Sequence, residues 1–247
     1  MKLERTRFGG FSRPVKRQVE LDRGQEGQLS GIRGKVDAPQ LEEGERLVVT
    51  IGVADLEKDS AAVAAIYSQD DIIIHLAGVA PSMLDEKKYQ DLRNEYGTLI
   101  AATADGVKGY YGRHQDEILY VAKTKDGKVV GAVTSQPEGV GVTIVNVGRL
   151  VVDRDHRRLG VARKLVEKVR DEAFGNPQIT QIGAAILHDV DKSGVAFLFF
   201  SDLGFKLTGQ VEQTCISWNP ETDSFQNRGS WRIALHRNPN GISKNSM

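Results

Sequence analysis

Short apolar runs alternate with amphipathic stretches along most of this chain, and the alternation predicts an ordered series of strands and helices. The first strand is predicted over Leu47–Ile51. Asp55 has the position of an N-cap for a helix that continues to Ile66. The following segment mixes charged and apolar positions, and there we expect one helix from Pro81 to Leu92 and another from Tyr96 to Ala104.

The centre of the chain has a clearer pattern. Apolar runs at 118–123 and 129–134 flank Asp126-Gly127, a dipeptide typical of a tight hairpin turn. A longer strand is predicted over Thr143–Val152, and an amphipathic helix follows and ends at Gly175. Apolar residues recur at every fourth position of that helix, namely Val161, Leu165, Val169 and Ala173.

The last third of the folded region predicts a strand over Ile179–Leu187, a short apolar helix over Val195–Phe200, and then further strands. Those strands fall at 205–207, 213–218 and 231–236. The whole order is strand, helices, three strands, helix, strand, helix, strands. It predicts an α/β domain whose central sheet is mixed, largely antiparallel and flanked by helices, with one strand–helix–strand unit.

Residues 1–45 differ in composition from the rest. Basic residues, Gly and Gln dominate there, and aliphatic residues are sparse. This composition predicts a flexible N-terminal extension, and it also fits a nucleic-acid- or ribosome-binding arm. Residues 46–236 then form the folded domain, and residues 237–247 form a C-terminal tail.

The overall composition argues against several classes of protein and site. The chain has 247 residues, of which 40% are hydrophobic and 27% charged, and its formal net charge is zero, so charge argues neither for nor against a nucleic-acid partner. No apolar run approaches the roughly 18 residues of a membrane span, and the N-terminus lacks a secretory core, so we expect no membrane association. Cys215 is the single cysteine, which excludes an intramolecular disulfide and leaves a structural zinc site without a companion. We therefore expect a cytoplasmic protein that holds no metal.

The segment Arg157-Arg158-Leu159-Gly160-Val161-Ala162 carries the most specific chemistry. It joins a predicted strand to a predicted helix, where unpaired backbone N–H groups and the helix dipole favour a phosphate or pyrophosphate. Its pattern is Arg or Gln, two residues, Gly, one residue, then Gly or Ala. The pattern resembles the pyrophosphate loop of the GNAT acetyltransferase superfamily.

A second segment resembles the same superfamily. Ala196, Phe200 and Gly204-Phe205 fit its later motif, in which an Asn is followed by Ala, Tyr and Gly-Phe at fixed spacing. Ser193 stands at the Asn position and Phe200 at the Tyr position. The two segments occur in the family order with a strand between them, and the resemblance covers about residues 46–236.

The resemblance implies acetyl-CoA as cosubstrate, held in a V-shaped splay between the fourth and fifth strands. Main-chain groups of Leu150, Val151 and Val152 would pair with the pantetheine arm, and Ser193 would face the pantetheine or the acetyl end. The pyrophosphate would lie on the loop, whose residues are Arg157, Arg158, Leu159, Gly160, Val161, Ala162 and Arg163.

The implied reaction is direct attack of a primary amine on the thioester in a ternary complex, which makes the protein an N-acetyltransferase. The acceptor is a small-molecule or peptide amine. The family acid is a Tyr, whereas Phe200 has no hydroxyl. The glutamate base of many members stands eleven residues before the loop, where this chain has Asn146. In protein N-terminal acetyltransferases a base lies at the end of the fifth strand, which maps to His188, a residue of suitable pKa for a base near neutral pH.

Other readings remain open. A non-catalytic acyl-CoA-binding regulatory module fits Phe200 and Asn146, and the basic extension would then tether it to nucleic acid or the ribosome. An enzyme that uses a longer acyl-CoA fits the same motifs. The sequence also leaves the acceptor and the oligomeric state open, a homodimer among the alternatives.

Overall fold

The structure is a computed structural model that describes residues 47–72, 85–91, 103–138, 141–187, 195–219 and 224–237. Its strands are β1 (Val49–Val53), β2 (Ile118–Thr124), β3 (Val129–Glu138), β4 (Ile144–Val152), β5 (Gln181–Leu187), β6 (Lys206–Asn219) and β7 (Ser224–His236). Its helices are α1 (Leu56–Tyr67), α2 (Ala104–Arg113), α3 (Val161–Gly175) and α4 (Val195–Asp202), with a 3₁₀ turn at Arg154–His156 and a short helical segment at 86–91.

The described strands form one seven-stranded sheet in the order β1-β2-β3-β4-β5-β7-β6. Strands β4 and β5 run parallel, and the other neighbouring pairs are antiparallel. The helix α3 connects the parallel pair, as a crossover must. The predicted fold class, a mixed and largely antiparallel sheet flanked by helices, is confirmed.

The parallel pair separates part of the way along its length. Its register runs from Ile144 opposite Gln181 to Val147 opposite Ala184, and both strands continue beyond that point. The remaining residues of β4 pair with β3 on their other side, through Ala132 opposite Val151. In the described part of the chain, that half of β4 therefore has no strand on the side of β5, which is the splay that the family resemblance implies.

Two apolar cores hold the sheet between its helices. The core beneath α3 and α4 includes Val133, Val147, Leu165, Ile182 and Ile233, each at most 6% exposed. On the opposite face, α1 and α2 pack over β2 and β3 through a second buried cluster. Its larger members are Val63, Ile66, Tyr67, Ile72, Val107, Tyr111, Leu119, Val121 and Val129.

Local signals explain several element boundaries. Asp55 is the N-cap of α1, and its carboxylate accepts the backbone N–H groups of Glu57 and Lys58. The hairpin between β2 and β3 turns at Gly127, whose φ of 86° suits glycine. The predicted helix α3 ends at Gly175, as the sequence indicates.

The region before β2 departs from the prediction. Thr103 has an extended backbone and is the N-cap of α2, which runs from Ala104 to Arg113. The predicted helix over Tyr96–Ala104 is therefore wrong at Thr103, and the helix that the structure contains begins at the last residue of the predicted range, Ala104. Residues 96–102 lie outside the described residues, as do residues 1–46 and 238–247, which contain the whole predicted extension 1–45 and all but the first residue of the predicted tail 237–247. No helix in the described ranges is long and apolar enough to cross a membrane.

Candidate functional site

A β-bulge lies in β4 directly after the point where β5 diverges. The pairing with β3 shifts between Thr134–Gly148 and Ala132–Val151, so one residue of β3 faces two of β4. Arg149 occupies the bulge with a φ of 47°. The Tyr67 hydroxyl donates a hydrogen bond of 2.9 Å to the Arg149 carbonyl oxygen, which ties the bulge to α1.

The turn from β4 to α3 is built from left-handed backbone. Arg158 has a φ of 63°, and Gly160, the N-cap of α3, has a φ of 81°. A Cβ at Gly160 would meet no atom of the described residues within 4 Å, which leaves space above this residue. The glycine therefore serves the backbone conformation and leaves room for close approach, as the motif predicts.

The backbone N–H groups of Arg158 through Arg163 find no acceptor among the described residues. The first intrahelical bond of the turn runs from the Lys164 N–H to the Gly160 carbonyl oxygen at 3.1 Å. No side chain caps α3, and its first turn contains no acidic residue. Arg158 and Arg163 are exposed beside these amides. Unpaired donors, a helix N-terminus and two cationic side chains together form a site suited to a pyrophosphate.

The side chain of Arg157 contacts Val152 and Asp71. Its Nε donates 3.0 Å to the Val152 carbonyl oxygen, and one terminal nitrogen forms an ion pair with Asp71. Arg154 reaches the same carboxylate at 3.2 Å. Partial burial alone would raise the pKa of Asp71, but the hydrogen bonds and charges of Arg157 and Arg154 outweigh it and hold that pKa below its ordinary value. In this structure the predicted phosphate-facing Arg157 fastens the loop to the segment after α1.

A second set of contacts supports the same fastening. Gln69 donates 2.5 Å to Asp153, and its carbonyl oxygen accepts the backbone N–H of Arg154 at 3.1 Å. His156 contacts the other oxygen of Asp153 at 2.5 Å. His156 is thus a structural residue of the loop.

Asn146 lies in a polar chain that crosses the sheet at the start of the splay. Its side-chain nitrogen donates 3.0 Å to Glu138 on β3, and its side-chain oxygen accepts from Arg232 on β7 at 2.5 Å. Arg232 also forms an ion pair with Glu138 and is 8% exposed. Its guanidinium passes over Gly183 of β5, where a Cβ would lie 2.8 Å from it. Asn146 therefore positions neighbouring groups, and the sequence did not indicate its partners.

Phe200 is a core residue. It is 8% exposed and makes edge-to-face contacts with Phe199 and Phe205, at centroid distances of 5.0 and 5.2 Å. These contacts explain an aromatic ring at this position without a hydroxyl group. His188 and Ser193, the predicted base and the predicted pantetheine contact, lie outside the described residues, so their roles stay predictions. Within the described ranges, no cluster of three His, Cys, Asp or Glu side chains could hold a metal ion.

Comparison with protein families agrees with the two sequence motifs. A family model described as "Acetyltransferase (GNAT) domain" matches residues 115–207, which span β2 through α4 and the start of β6. This range contains the loop and both strands of the splay. The resemblance inferred from the two sequence motifs is confirmed over this range.

Solved structures of low sequence identity share the fold. The ribosomal-protein-S5-alanine acetyltransferase from Vibrio fischeri is 16% identical with a TM-score of 0.54, and the match covers 80% of this chain and 97% of that one. The spermidine N-acetyltransferase from Vibrio cholerae, in complex with CoA and spermine, is 13% identical with a TM-score of 0.53, covering 76% and 95%. The yncA protein from Salmonella typhimurium, with its cofactor acetyl-CoA, is 19% identical with a TM-score of 0.50, covering 80% and 99%.

Proposed function

We propose that this protein is an acetyl-CoA-dependent N-acetyltransferase that moves an acetyl group to a primary amine. The observation that carries the proposal is the row of backbone N–H groups from Arg158 to Arg163, which lack an acceptor in the described chain, at the end of a β4 strand that is open toward β5. Solved structures of the same fold contain CoA or acetyl-CoA, which supports the same ligand here.

In the proposed complex, different residues bind different parts of acetyl-CoA. The loop amides and the side chains of Arg158 and Arg163 would hold the pyrophosphate, while Arg157 and Asp71 keep the loop in place. The backbone of Leu150, Val151 and Val152 would pair with the pantetheine arm, because no described strand lies on that side of β4 beyond the splay. When bound, acetyl-CoA supplies an activated thioester.

In the proposed reaction the acceptor amine attacks the thioester carbonyl directly, so that a C–N bond forms and the C–S bond breaks. The proton lost by the amine passes to a base, for which we propose His188, and the CoA thiolate takes a proton from solvent. A strand amide such as that of Val152 would stabilise the oxyanion. Phe200 and Asn146 supply neither acid nor base, because one has no hydroxyl and the other is an amide.

The test uses charge reversal in the first turn of α3. Arg163→Glu places a carboxylate near the helix N-terminus, where it is expected to stabilise the helix by about 0.3–1 kcal/mol. The same carboxylate repels a pyrophosphate on the loop amides. We therefore expect a variant with an unchanged or higher melting temperature and an acetyl-CoA affinity at least about tenfold weaker, measured by calorimetry.

Arg170→Glu is the matched control, since it makes the same charge change two turns further along α3. Its acetyl-CoA affinity should stay close to that of the wild type. CoA release is then measured with a panel of amines. Equal affinities for both variants would refute the loop as the pyrophosphate site. Saturable acetyl-CoA binding without transfer to any amine would favour the non-catalytic acyl-CoA-binding module, which the absence of the family acid and base at Phe200 and Asn146 also fits.

A further inference from the structure

Arg149 carries a positive charge into the bulge of β4, where no described residue offers it a carboxylate. Its guanidinium carbon lies 3.8 Å above the centre of the Tyr110 ring and 6.0 Å from the centre of the Tyr111 ring. The residue is only partly exposed. A guanidinium withdrawn from water is costly unless an anion compensates it, and stacking on aromatic rings replaces only part of the lost solvation.

The Tyr110 ring beneath the Arg149 guanidinium is held in place by contacts with other residues. The Tyr110 hydroxyl donates 2.9 Å to Glu117, and the Tyr110 ring stacks on His114 at 4.1 Å. Glu117 is thus held by Tyr110 and makes no ion pair with Arg149. Burial raises the pKa of Tyr110 to about 12, so this hydroxyl stays protonated at neutral pH.

A second buried polar group, the Tyr111 hydroxyl, lies near Arg149. Tyr111 is 6% exposed, and its buried hydroxyl has no hydrogen-bond partner in the described part of the chain. Burial raises the pKa of Tyr111 as well, which keeps its proton in place. The Tyr111 hydroxyl lies close to the Arg149 guanidinium but is uncharged, so no described residue supplies this partly buried cation with a counter-charge. Buried charges are normally paired, and an external anion would therefore complete the arrangement.

The position of Arg149 relates this anion site to the reaction. Arg149 follows the last β4–β5 pair and precedes Leu150, the first residue of the backbone segment proposed to hold the pantetheine arm. Its side chain lies on the face of α1 and α2, because it contacts tyrosines of α2, whereas Leu150 and Val152 pack toward α3. The guanidinium and the proposed reactive end of acetyl-CoA are thus adjacent along one strand.

We propose that Arg149 binds a carboxylate of the acceptor, so that the acceptor is a small amine that carries a carboxylate, such as an amino acid. The proposal rests on the proposed function. Planar guanidinium groups pair with carboxylates through two parallel hydrogen bonds. Such a pair would hold the amine at a fixed distance from β4, since in an amino acid only a few bonds separate the amine from the carboxylate.

Matched acceptors test the proposal. Each L-amino acid is compared with its amide, which keeps the amine and side chain but removes the negative charge, and CoA release gives kcat/KM for both. We expect the wild type to prefer the acid by about tenfold to hundredfold, the range of a charge-assisted hydrogen bond. Equal use of acids and amides, or use of O-phosphoethanolamine in place of the carboxylates, would overturn the assignment.

Variants at Arg149 show whether this residue causes the preference for amino acids over their amides. Arg149→Asn removes the guanidinium and suits the left-handed backbone of the bulge, so the fold should survive. It should reduce the acid-to-amide ratio of kcat/KM to about one. Arg149→Lys keeps the charge but loses the planar pair, and it should give an intermediate ratio. Arg113→Asn, an exposed arginine on α2, is the control and should keep the wild-type ratio. A ratio that survives in both Arg149 variants would refute the proposal.

A binding measurement separates this inference from the proposed function. With CoA present, calorimetry compares N-acetyl-L-amino acids with their amides in the wild type and in Arg149→Asn. Carboxylate-dependent binding that Arg149→Asn abolishes, without transfer to any amine, would keep the carboxylate site and refute the acetyltransferase. Transfer to amines without carboxylate preference would keep the acetyltransferase and refute the site. Absence of both carboxylate-dependent binding and transfer to amines would refute the carboxylate site and the acetyltransferase function together.

Discussion

At the scale of single residues, left-handed backbone shapes the candidate site. Arg149, Arg158 and Gly160 all have positive φ angles. Glycine adopts this conformation without steric cost, whereas a residue with a Cβ loses roughly 1–2 kcal/mol. The two arginines therefore hold strained positions, one in the bulge and one in the loop, and strain of this kind is concentrated at functional sites.

Replacing Arg158 with glycine should stabilise the protein. Arg158→Gly removes the strain of the left-handed conformation, while the greater freedom of glycine in the unfolded chain cancels part of the gain. We expect a net increase of about 0.5–1 kcal/mol in the free energy of unfolding, measured by urea denaturation.

The Arg158→Ala variant distinguishes the effect of relieving backbone strain from the effect of losing the positive charge. It removes the same side chain but keeps the Cβ, so its free energy of unfolding should stay near that of the wild type. Both variants should bind acetyl-CoA more weakly by a similar factor, because both lose the same positive charge. Equal stability of the two variants would show that Arg158 is not strained.

The sequence predicts residue types at the site better than it predicts their contacts. The motif correctly placed Arg157–Ala162 at a strand-to-helix turn, because that pattern is local. It did not indicate that Arg157 would contact Asp71, a residue 86 positions earlier in the chain. The tyrosines around Arg149 were missed for the same reason, since only the packing of α1 and α2 against β4 brings them together.

At the scale of elements, α2 shows how packing overrides intrinsic preference. Its sequence ADGVKGYYGR contains three glycines, each of which disfavours a helix by up to about 1 kcal/mol. The helix forms because Thr103 caps it and because Val107 and Tyr111, four residues apart, are buried against α1 and the sheet. The hairpin and α3 were predictable because their turn residues and periodicity agree with their final environment, whereas the glycines of α2 do not.

Alanine substitutions at two glycines should change the free energy of unfolding in opposite directions. A Cβ at Gly112 of α2 or at Gly127 of the hairpin would meet no atom within 4 Å in the part of the chain that the structure describes. Gly112 is helical, so Gly112→Ala should stabilise the protein by about 0.5–1 kcal/mol. Gly127 has a φ of 86°, so Gly127→Ala should destabilise it by about 1–2 kcal/mol.

Thermal and chemical denaturation of both variants check this pair. Steric contact is absent in each case, so the backbone conformation alone separates the two results. A loss of stability in Gly112→Ala would mean that α2 needs its glycines for a reason other than helix formation, for example close approach of another part of the chain.

At the scale of the whole molecule, the splay divides the sheet into two halves that stay joined at one end. Strands β1 to β4 form one half, and β5, β7 and β6 form the other. Beside the last β4–β5 pairs, Glu138 and Asn146 from the first half meet Arg232 from the second. This polar chain spans the junction, so it contributes to holding the halves at the spacing that the proposed acetyl-CoA site requires.

Gly183 makes this junction possible, because it leaves room for the side chains that cross β5. A Cβ there would lie 2.5 Å from the Asn146 side-chain oxygen and 2.8 Å from the Arg232 guanidinium. Gly183→Ala must displace both groups, and we expect a loss of about 1–3 kcal/mol in the free energy of unfolding. Weaker acetyl-CoA binding should accompany the loss, because the two halves of the splay shift relative to each other.

A double-mutant cycle with Asn146→Ala tests whether the loss arises from this junction. Asn146→Ala removes the nearer of the two clashing groups, so adding Gly183→Ala should then cost less than it does in the wild type. We expect a coupling of about 0.5–1 kcal/mol or more, measured by urea denaturation of the four proteins. Strictly additive effects would mean that the alanine acts on β5 alone and that the polar chain does not join the two halves.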